Sequence, residues 1–344
     1  MESKAERIRS VILRVSLAAL IGLIALLLSA AGEGQVSRQL EMPRVIDLRS
    51  TAAGIHAQTA PPEDRTDFGR APSIPPNCGD PVCIGVSPFY SFDAVRVQAW
   101  VDFIGSLLHG SELKTVSFYI APPFEVAEFC GPGAAACYWV SPPMIIAPGE
   151  DLPGGFTAEA ILAHEYGHHV SNSRANPPWG ALFYGTKRWA SYVDVCAAVI
   201  AGQFFPGDGG QHYALNPTEG FAEAYRVANQ HRLGVAEAPW RLVDQVFYPD
   251  ATASALIEQD VLDPWSSHSR VTYQGRFTRA GPSRLSFDVP TALDGVVTAS
   301  VRRPKRTQFR LTHTSATVCG QRTTYFTVRR VKGFGSFELV VSRP

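Results

Sequence analysis

Residues 156–172 read FTAEAILAHEYGHHVSN, and this run decides how the rest of the chain is read. Positions four apart share one face of an α-helix, so His164 and His168 can present two imidazoles to one cation while Glu165 lies beside it. A helix is expected here. Gly154-Gly155 break the chain upstream, Thr157 can cap, Glu159 falls in the first turn near the positive end, and 158–162 are good helix formers. His169, turned about 100° from His168, cannot share that ligand direction and reads as a supporting or surface residue.

A catalytic zinc site needs a third protein ligand and an open position for water. Residues 212–226, HYALNPTEGFAEAYR, supply the candidates. Asn216 can cap and Pro217 fits the first helical position, so a helix should start here with Glu219 and Glu223 one turn apart on one face. Glu219 is the expected third ligand and Glu223 the alternative. Glu219 also occupies the position from which a carboxylate can instead close a capping box on Asn216. His212 and Tyr213, just ahead of this helix, are candidate donors to a developing oxyanion, and either can equally be a packed loop residue.

HEYGH, followed about fifty residues later by TEGFAEAY, resembles the zincin metallopeptidases of the gluzincin type. The resemblance implies an α+β zincin-like fold, with Zn2+ held by His164, His168 and Glu219, Glu165 as general base, and Glu223 supporting the site from behind. The metzincin extension is absent, because His168 is followed by HVSNSRANPP. In this arrangement zinc activates a water and polarises a carbonyl while Glu165 carries the proton, which favours hydrolysis of a protein or peptide substrate. Two alternatives stay open: a catalytically silent surface-binding protein on a zincin scaffold, and a zinc hydrolase of a non-peptide amide or ester. Substrate in zincins usually lies along an edge strand ahead of the motif helix, and 138–147 (YWVSPPMIIA), with Pro142, Pro143 and Pro148 nearby, is the expected edge.

Lys4, Arg7, Arg9 and Arg14 precede an uncharged stretch from Val15 to Gly32, which reads as a signal peptide or membrane anchor over 1–32 and hence an exported protein. Ser29-Ala30-Ala31 offers a cleavage site, although the stretch is nearly long enough to span a bilayer. Residues 33–76 lack a sustained apolar period and read as a disordered linker. The catalytic domain is expected over 77–266, with a helical apolar stripe over 92–108 (Val95, Val97, Trp100, Val101, Ile104, Leu108), a strand over 115–120 and a buried helix over 189–205. Asp194 in that helix could accept a hydrogen bond from a ligating imidazole, or act as a cap or surface acid. Six cysteines in an exported chain point to disulfides: Cys78 with Cys83 and Cys130 with Cys137 could close local loops, which leaves Cys196 and Cys319, and the choice among the fifteen connectivities of six cysteines stays open.

Beyond Trp265 the pattern changes to period two: Leu285-Phe287-Val289, Val297-Ala299-Val301, Phe309-Leu311, Phe326-Val328 and Phe337-Leu339-Val341. A small all-β sandwich domain is expected over 267–344. Its closing GSFELVVSRP resembles the bacterial pre-peptidase C-terminal domain, which implies binding or targeting rather than chemistry. From Ser267 onward fourteen Lys and Arg face Asp288, Asp294 and Glu338, a net +11, whereas the full chain is formally neutral. A basic module beside an acidic one suits an anionic cell-surface partner, with Arg302-Arg303, Lys305-Arg306, Arg329-Arg330 and Lys332 as its clusters; the alternative is a solvated strand face. Nucleic acid is excluded as a partner by export and by the lack of a nucleic-acid motif.

Overall fold

The computed structural model describes residues 82–344. The first part is built on a four-stranded sheet of β1 (Cys83–Val86), β2 (Ser117–Ala121), β3 (Cys137–Val140) and β4 (Pro143–Pro148), ordered β1-β2-β4-β3. β1, β2 and β4 run parallel, and β3 returns antiparallel along the edge. β4 is apolar throughout because both its faces are covered. Ile145 and Ala147 join the main core with Phe118 and Ile120, while Met144 and Ile146 face a smaller core with Tyr119 and Ala121.

Residues 138–147 are therefore not a single edge strand. Ser141-Pro142 lie in the turn of a hairpin, β3 takes the edge, and β4 is central, with Pro143 and Pro148 at its two ends where a missing N–H is tolerated. Helix α1 (Ala94–Ser106), capped by Asp93, buries Trp100 and Ile104, but Val95 of the expected stripe is 77% exposed because it sits on the outer side of the first turn. Helix α2 (Pro123–Cys130) packs on β4 from the side of the smaller core, where Cys130–Cys137 is formed.

Helix α3 (Ala158–Asn172) packs against β3 and β4 from the main-core side and carries the motif. A two-residue hairpin, β5 (Ala175–Asn176) and β6 (Trp179–Gly180), leads to α4 (Ala181–Tyr184). The expected helix over 189–205 is broken in two, α5 (Lys187–Tyr192) and α6 (Val195–Ile200), at Asp194, which adopts a left-handed conformation at φ 56°. Its carboxylate is drawn out to Arg322, 3.2 Å away, instead of serving a ligating imidazole. Helix α7 (Pro217–Leu233) lies against α3, and α8 (Ala251–Leu262) packs on α5 and α7.

The C-terminal part holds two antiparallel sheets that share one apolar core. They comprise β7 (Ser269–Phe277), β8 (Arg284–Pro290), β9 (Gly295–Arg302), β10 (Gln308–Leu311), β11 (Ser315–Val318), β12 (Thr323–Lys332) and β13 (Gly335–Arg343), ordered β10-β12-β8 and β11-β9-β13-β7. Every residue of the five alternating triplets and pairs named from the sequence is buried in that core or packed on it. β7 and β11 were not foreseen.

Cys196–Cys319 ties this part to α6, and Arg322 reinforces the junction by donating to Asp294, to the Ser191 carbonyl and to Asp194. Cys83 is disulfide-bonded as well, but its expected pairing with Cys78, like the N-terminal segments 1–32 and 33–76, lies outside the described residues. Among the described residues no helix is long and apolar enough to cross a membrane.

Lys187 plugs the same junction, 1% exposed, with Nζ donating to the Pro177 carbonyl at 2.8 Å and lying 5.7 and 5.2 Å from the ring centres of Trp179 and Trp265. Gly295 leaves room for it, because a Cβ there would stand 2.9 Å from Nζ. Burial pulls the ammonium down to about 8, only partly offset by Asp260. The folded value lies below the unfolded one, so between about pH 8 and 10 the unfolded chain binds a proton that the folded chain has released. Stability should therefore rise with pH across that window. In urea titrations at pH 7.5 and 9.5 the parent midpoint should increase, and Lys187→Met should lose this increment; equal pH responses in both proteins would refute the assignment.

Candidate metal centre

Two capped helices bring the site together. Thr157 Oγ1 accepts the Ala160 N–H at 3.2 Å and Asp151 takes the Ala158 N–H at 3.0 Å, which starts α3 about two turns before His164. Asn216 Oδ1 accepts the Thr218 N–H at 3.0 Å, with Pro217 in the first helical position. The Asn216 N–H donates to the Tyr213 carbonyl, so the capping box is not used and the Glu219 carboxylate turns toward the histidines.

The approach of α3 to α7 depends on Gly167 of the motif. A Cβ there would stand 2.8 Å from Ala222 Cα and 3.0 Å from its carbonyl oxygen, both backbone atoms that cannot rotate away. This contact lets a carboxylate as short as glutamate reach across to imidazoles on the neighbouring helix.

His164, His168 and Glu219 are fully buried, and one ligand atom from each lies within 4.8 Å of the others, the one such group among the described residues. Glu219 Oε2 stands 3.2 Å from His164 Nε2 and 3.6 Å from His168 Nε2. On the opposite edge of the His164 ring, Nδ1 meets Glu223 Oε2 at 3.2 Å. The ring is thus held by one carboxylate while its other nitrogen faces the cluster, as a metal-ligating imidazole requires. Glu223 is itself held by Arg226 at 2.8 and 2.6 Å and by the Tyr248 hydroxyl at 2.9 Å.

Several buried atoms here have no hydrogen-bond partner: both carboxylate oxygens of Glu165, both ring nitrogens of His168, and Glu219 Oε1. Orphaned buried polar atoms are rare and costly, and a divalent cation among His164, His168 and Glu219 would satisfy one His168 nitrogen and the Glu219 carboxylate. The residues present fit a metal of the kind that takes nitrogen and oxygen ligands.

Without a cation, charge is balanced by protons. Burial opposes a charged His164, but Glu219 and Glu223 override it and push the ring up to about 10. Burial likewise opposes ionisation of Glu219, which His168 and His164 nonetheless hold down at about 2, and of Glu223, which Arg226 and then His164 hold at about 2. Glu165 differs. Burial pushes its carboxyl up, the two imidazoles only partly counter this, and Glu219 adds to the rise.

No family model, curated protein or solved structure matches this chain.

Of the two candidate donors, Tyr213 joins the cluster, its hydroxyl 2.9 Å from Glu219 Oε2. His212 is turned to Asp208 at 2.7 Å and stacked on Phe205. His169, next to the ligand pair, is buried among Tyr138, Thr115 and the Glu112 carbonyl, a structural support between α3 and the sheet. The sequence reading missed Arg226 and Tyr248. Arg226 lies three positions after Glu223 on one helix face and was readable from that spacing; Tyr248 arrives from a separate turn with no local signal.

Two substitutions test this construction. Gly167→Ala should force α3 and α7 apart, costing about 1–3 kcal/mol and more than tenfold in metal affinity. Glu223→Gln should keep the fold and lower metal affinity by about 10–100-fold, read by competition with a chromophoric chelator; unchanged affinity would remove Glu223 from the support of His164.

Proposed function

We propose that this chain is an exported zinc-dependent endopeptidase with a zincin-like fold of the gluzincin type. The observation that carries the reading is the buried pair of imidazoles and Glu219 within ligand distance of one another, with Glu165 beside them and both its oxygens unpartnered. Two nitrogens and one oxygen from two crossed helices are the donor set of a catalytic zinc centre with a position left for water. Two disulfides among the described residues favour an oxidising, extracytoplasmic setting.

His164, His168 and Glu219 would hold the zinc, which when bound supplies Lewis acidity toward a carbonyl and toward water. The chain's own residues account for the rest. Glu165, raised by burial, takes a proton from the attacking water at a carboxylate oxygen and returns it to the departing amide nitrogen. Tyr213, whose hydroxyl donates to Glu219 Oε2 at 2.9 Å, is the residue that would turn to donate to the oxygen on which negative charge develops. Glu223, fixed by Arg226 and Tyr248, keeps the His164 ring oriented throughout. A binding-only scaffold would need the three ligands but no buried acid free of hydrogen bonds, so Glu165 weighs against that alternative.

The test is cleavage of a diverse peptide mixture by the zinc-loaded protein, read by mass spectrometry, beside Glu165→Gln. The parent should cut, and the variant should retain one zinc per chain while losing about 10²–10⁴-fold in kcat/KM. Equal cutting by both proteins would reject Glu165 as base. No cutting by the zinc-loaded parent would reject the endopeptidase reading.

A further inference from the structure

The outer face of the β10-β12-β8 sheet carries a feature that the catalytic reading does not use. Leu311, Val328 and Leu285 are register partners and turn inward to the core. Side chains alternate along a strand, so the neighbouring row, Arg310, Arg329 and Arg284, turns outward; all three are exposed. Three guanidinium groups thus stand side by side, their strands about 4.8 Å apart. Like charges directly opposite each other destabilise a sheet, so this row costs the free protein stability.

Nothing within the module neutralises the row. Asp294 is buried and engaged by Arg322, and Glu338 sits on the other sheet beside Arg302 and Gln274. Asp288 is the remaining acid, four residues along β8 from Arg284, or about 13 Å at the usual strand rise. Among the described residues, no carboxylate lies within ion-pair distance of Arg284, Arg310 or Arg329.

Chemistry changes in order along this face. Next to the arginines come Ser286 and Thr327, whose hydroxyls meet at 2.8 Å. One row further, Tyr325 is 53% exposed opposite Asp288. On the other side of the arginine row the ladder is irregular: a bulge pairs Lys332 with Gln308, and Val331, two residues past Arg329, is 43% exposed. Forked cations, then hydroxyls, then an aromatic ring follow one another along β12 at Arg329, Thr327 and Tyr325, about 7 Å per step. Guanidinium forks grip carboxylates in two places, hydroxyls exchange hydrogen bonds with sugar hydroxyls, and an aromatic ring offers an apolar body beside a polar tip to a pyranose. A bilayer would call for several apolar side chains on the same face, and β12 exposes one aliphatic residue, Val331. Phe334, also exposed, lies in the turn before β13 with the Arg330 guanidinium over it at 4.4 Å.

We propose that this face, through Arg284, Arg310, Arg329 and Tyr325, binds a carboxylated polysaccharide laid across the three strands. The surface is built on the C-terminal core and stands independently of the peptidase reading, so it should survive Glu165→Gln unchanged.

The test uses the full chain at 0.15 M salt with polygalacturonate, the same polymer after reduction of its carboxyl groups, and vesicles containing phosphatidylglycerol. The parent should bind polygalacturonate and lose at least tenfold in affinity for the reduced polymer. Replacing Arg284, Arg310 and Arg329 together with Ser should lower polygalacturonate affinity at least tenfold without lowering the melting temperature, since repulsion is removed with the charge. A control removing three arginines of the other sheet, Arg270, Arg276 and Arg302, changes net charge equally and should lower affinity less than threefold. Tyr325→Ala should cost severalfold, and Lys at all three row positions should restore only part of the binding, because a point charge lacks the fork. Equal losses in the two triple variants would reduce the effect to net charge and overturn the proposal. So would parent binding to the vesicles and not to polygalacturonate.

Discussion

The distance between α3 and α7 is the constraint on which the centre depends. It is set where Gly167 meets the backbone of Ala222, a contact that no larger residue permits without moving a helix. Because the helices touch there, Glu219 and Glu223 fall on the two edges of one imidazole, the first toward the cluster and the second behind it. The sheet contributes indirectly. β4 is covered on both sides, α3 lies flat on one of them, and Tyr138 of β3 holds the adjacent His169, so the helix that presents the histidines is fixed along its length.

Around that contact, charge is arranged in layers. A cluster of two imidazoles and several carboxylates, all removed from water, is costly unless each charge finds an opposite one. Arg226 answers Glu223, its guanidinium lies 4.5 Å from the Trp240 ring, and Tyr248 completes the set of donors. Glu165 is the exception, with no donor of its own. A protein that holds a buried carboxylate in this way gives up stability at that position, which is the usual cost of keeping a group ready for proton transfer.

Much of this was legible in the sequence because it is periodic. The four-residue spacing of His164 and His168 and that of Glu219 and Glu223 depend only on helical geometry, and the caps at Thr157 and Asn216 announce both helices. The alternating triplets of the C-terminal part likewise marked its inner face, since a half-buried strand can hide only every second residue. What stayed hidden was non-local. Residues 138–147 read as one edge strand because Pro142-Pro143 suits an edge as well as a turn, and only the pairing of β3 with β4 decides between them. The break at Asp194 has no local signal, its ion pair with Arg322 comes from more than a hundred residues away, and Tyr248 reaches Glu223 only after the chain has folded. Opposing arginines on β8, β10 and β12 are invisible without a register, and β11 carries too few large apolar residues to stand out, whereas β7, with Val271, Tyr273 and Phe277 alternating, was readable and was missed.

The bond between Cys196 and Cys319 spans 123 residues, and within that span lie Glu219, Glu223 and most of the β module, while His164 and His168 lie outside it. The centre is therefore assembled from a closed covalent ring and an open arm. A single nick anywhere within the ring leaves both pieces joined, so neither Glu219 nor the C-terminal module is shed. Chain cleavage and loss of parts become separate events, and a population of nicked molecules would keep the size of the intact one until a reductant opened the Cys196–Cys319 disulfide.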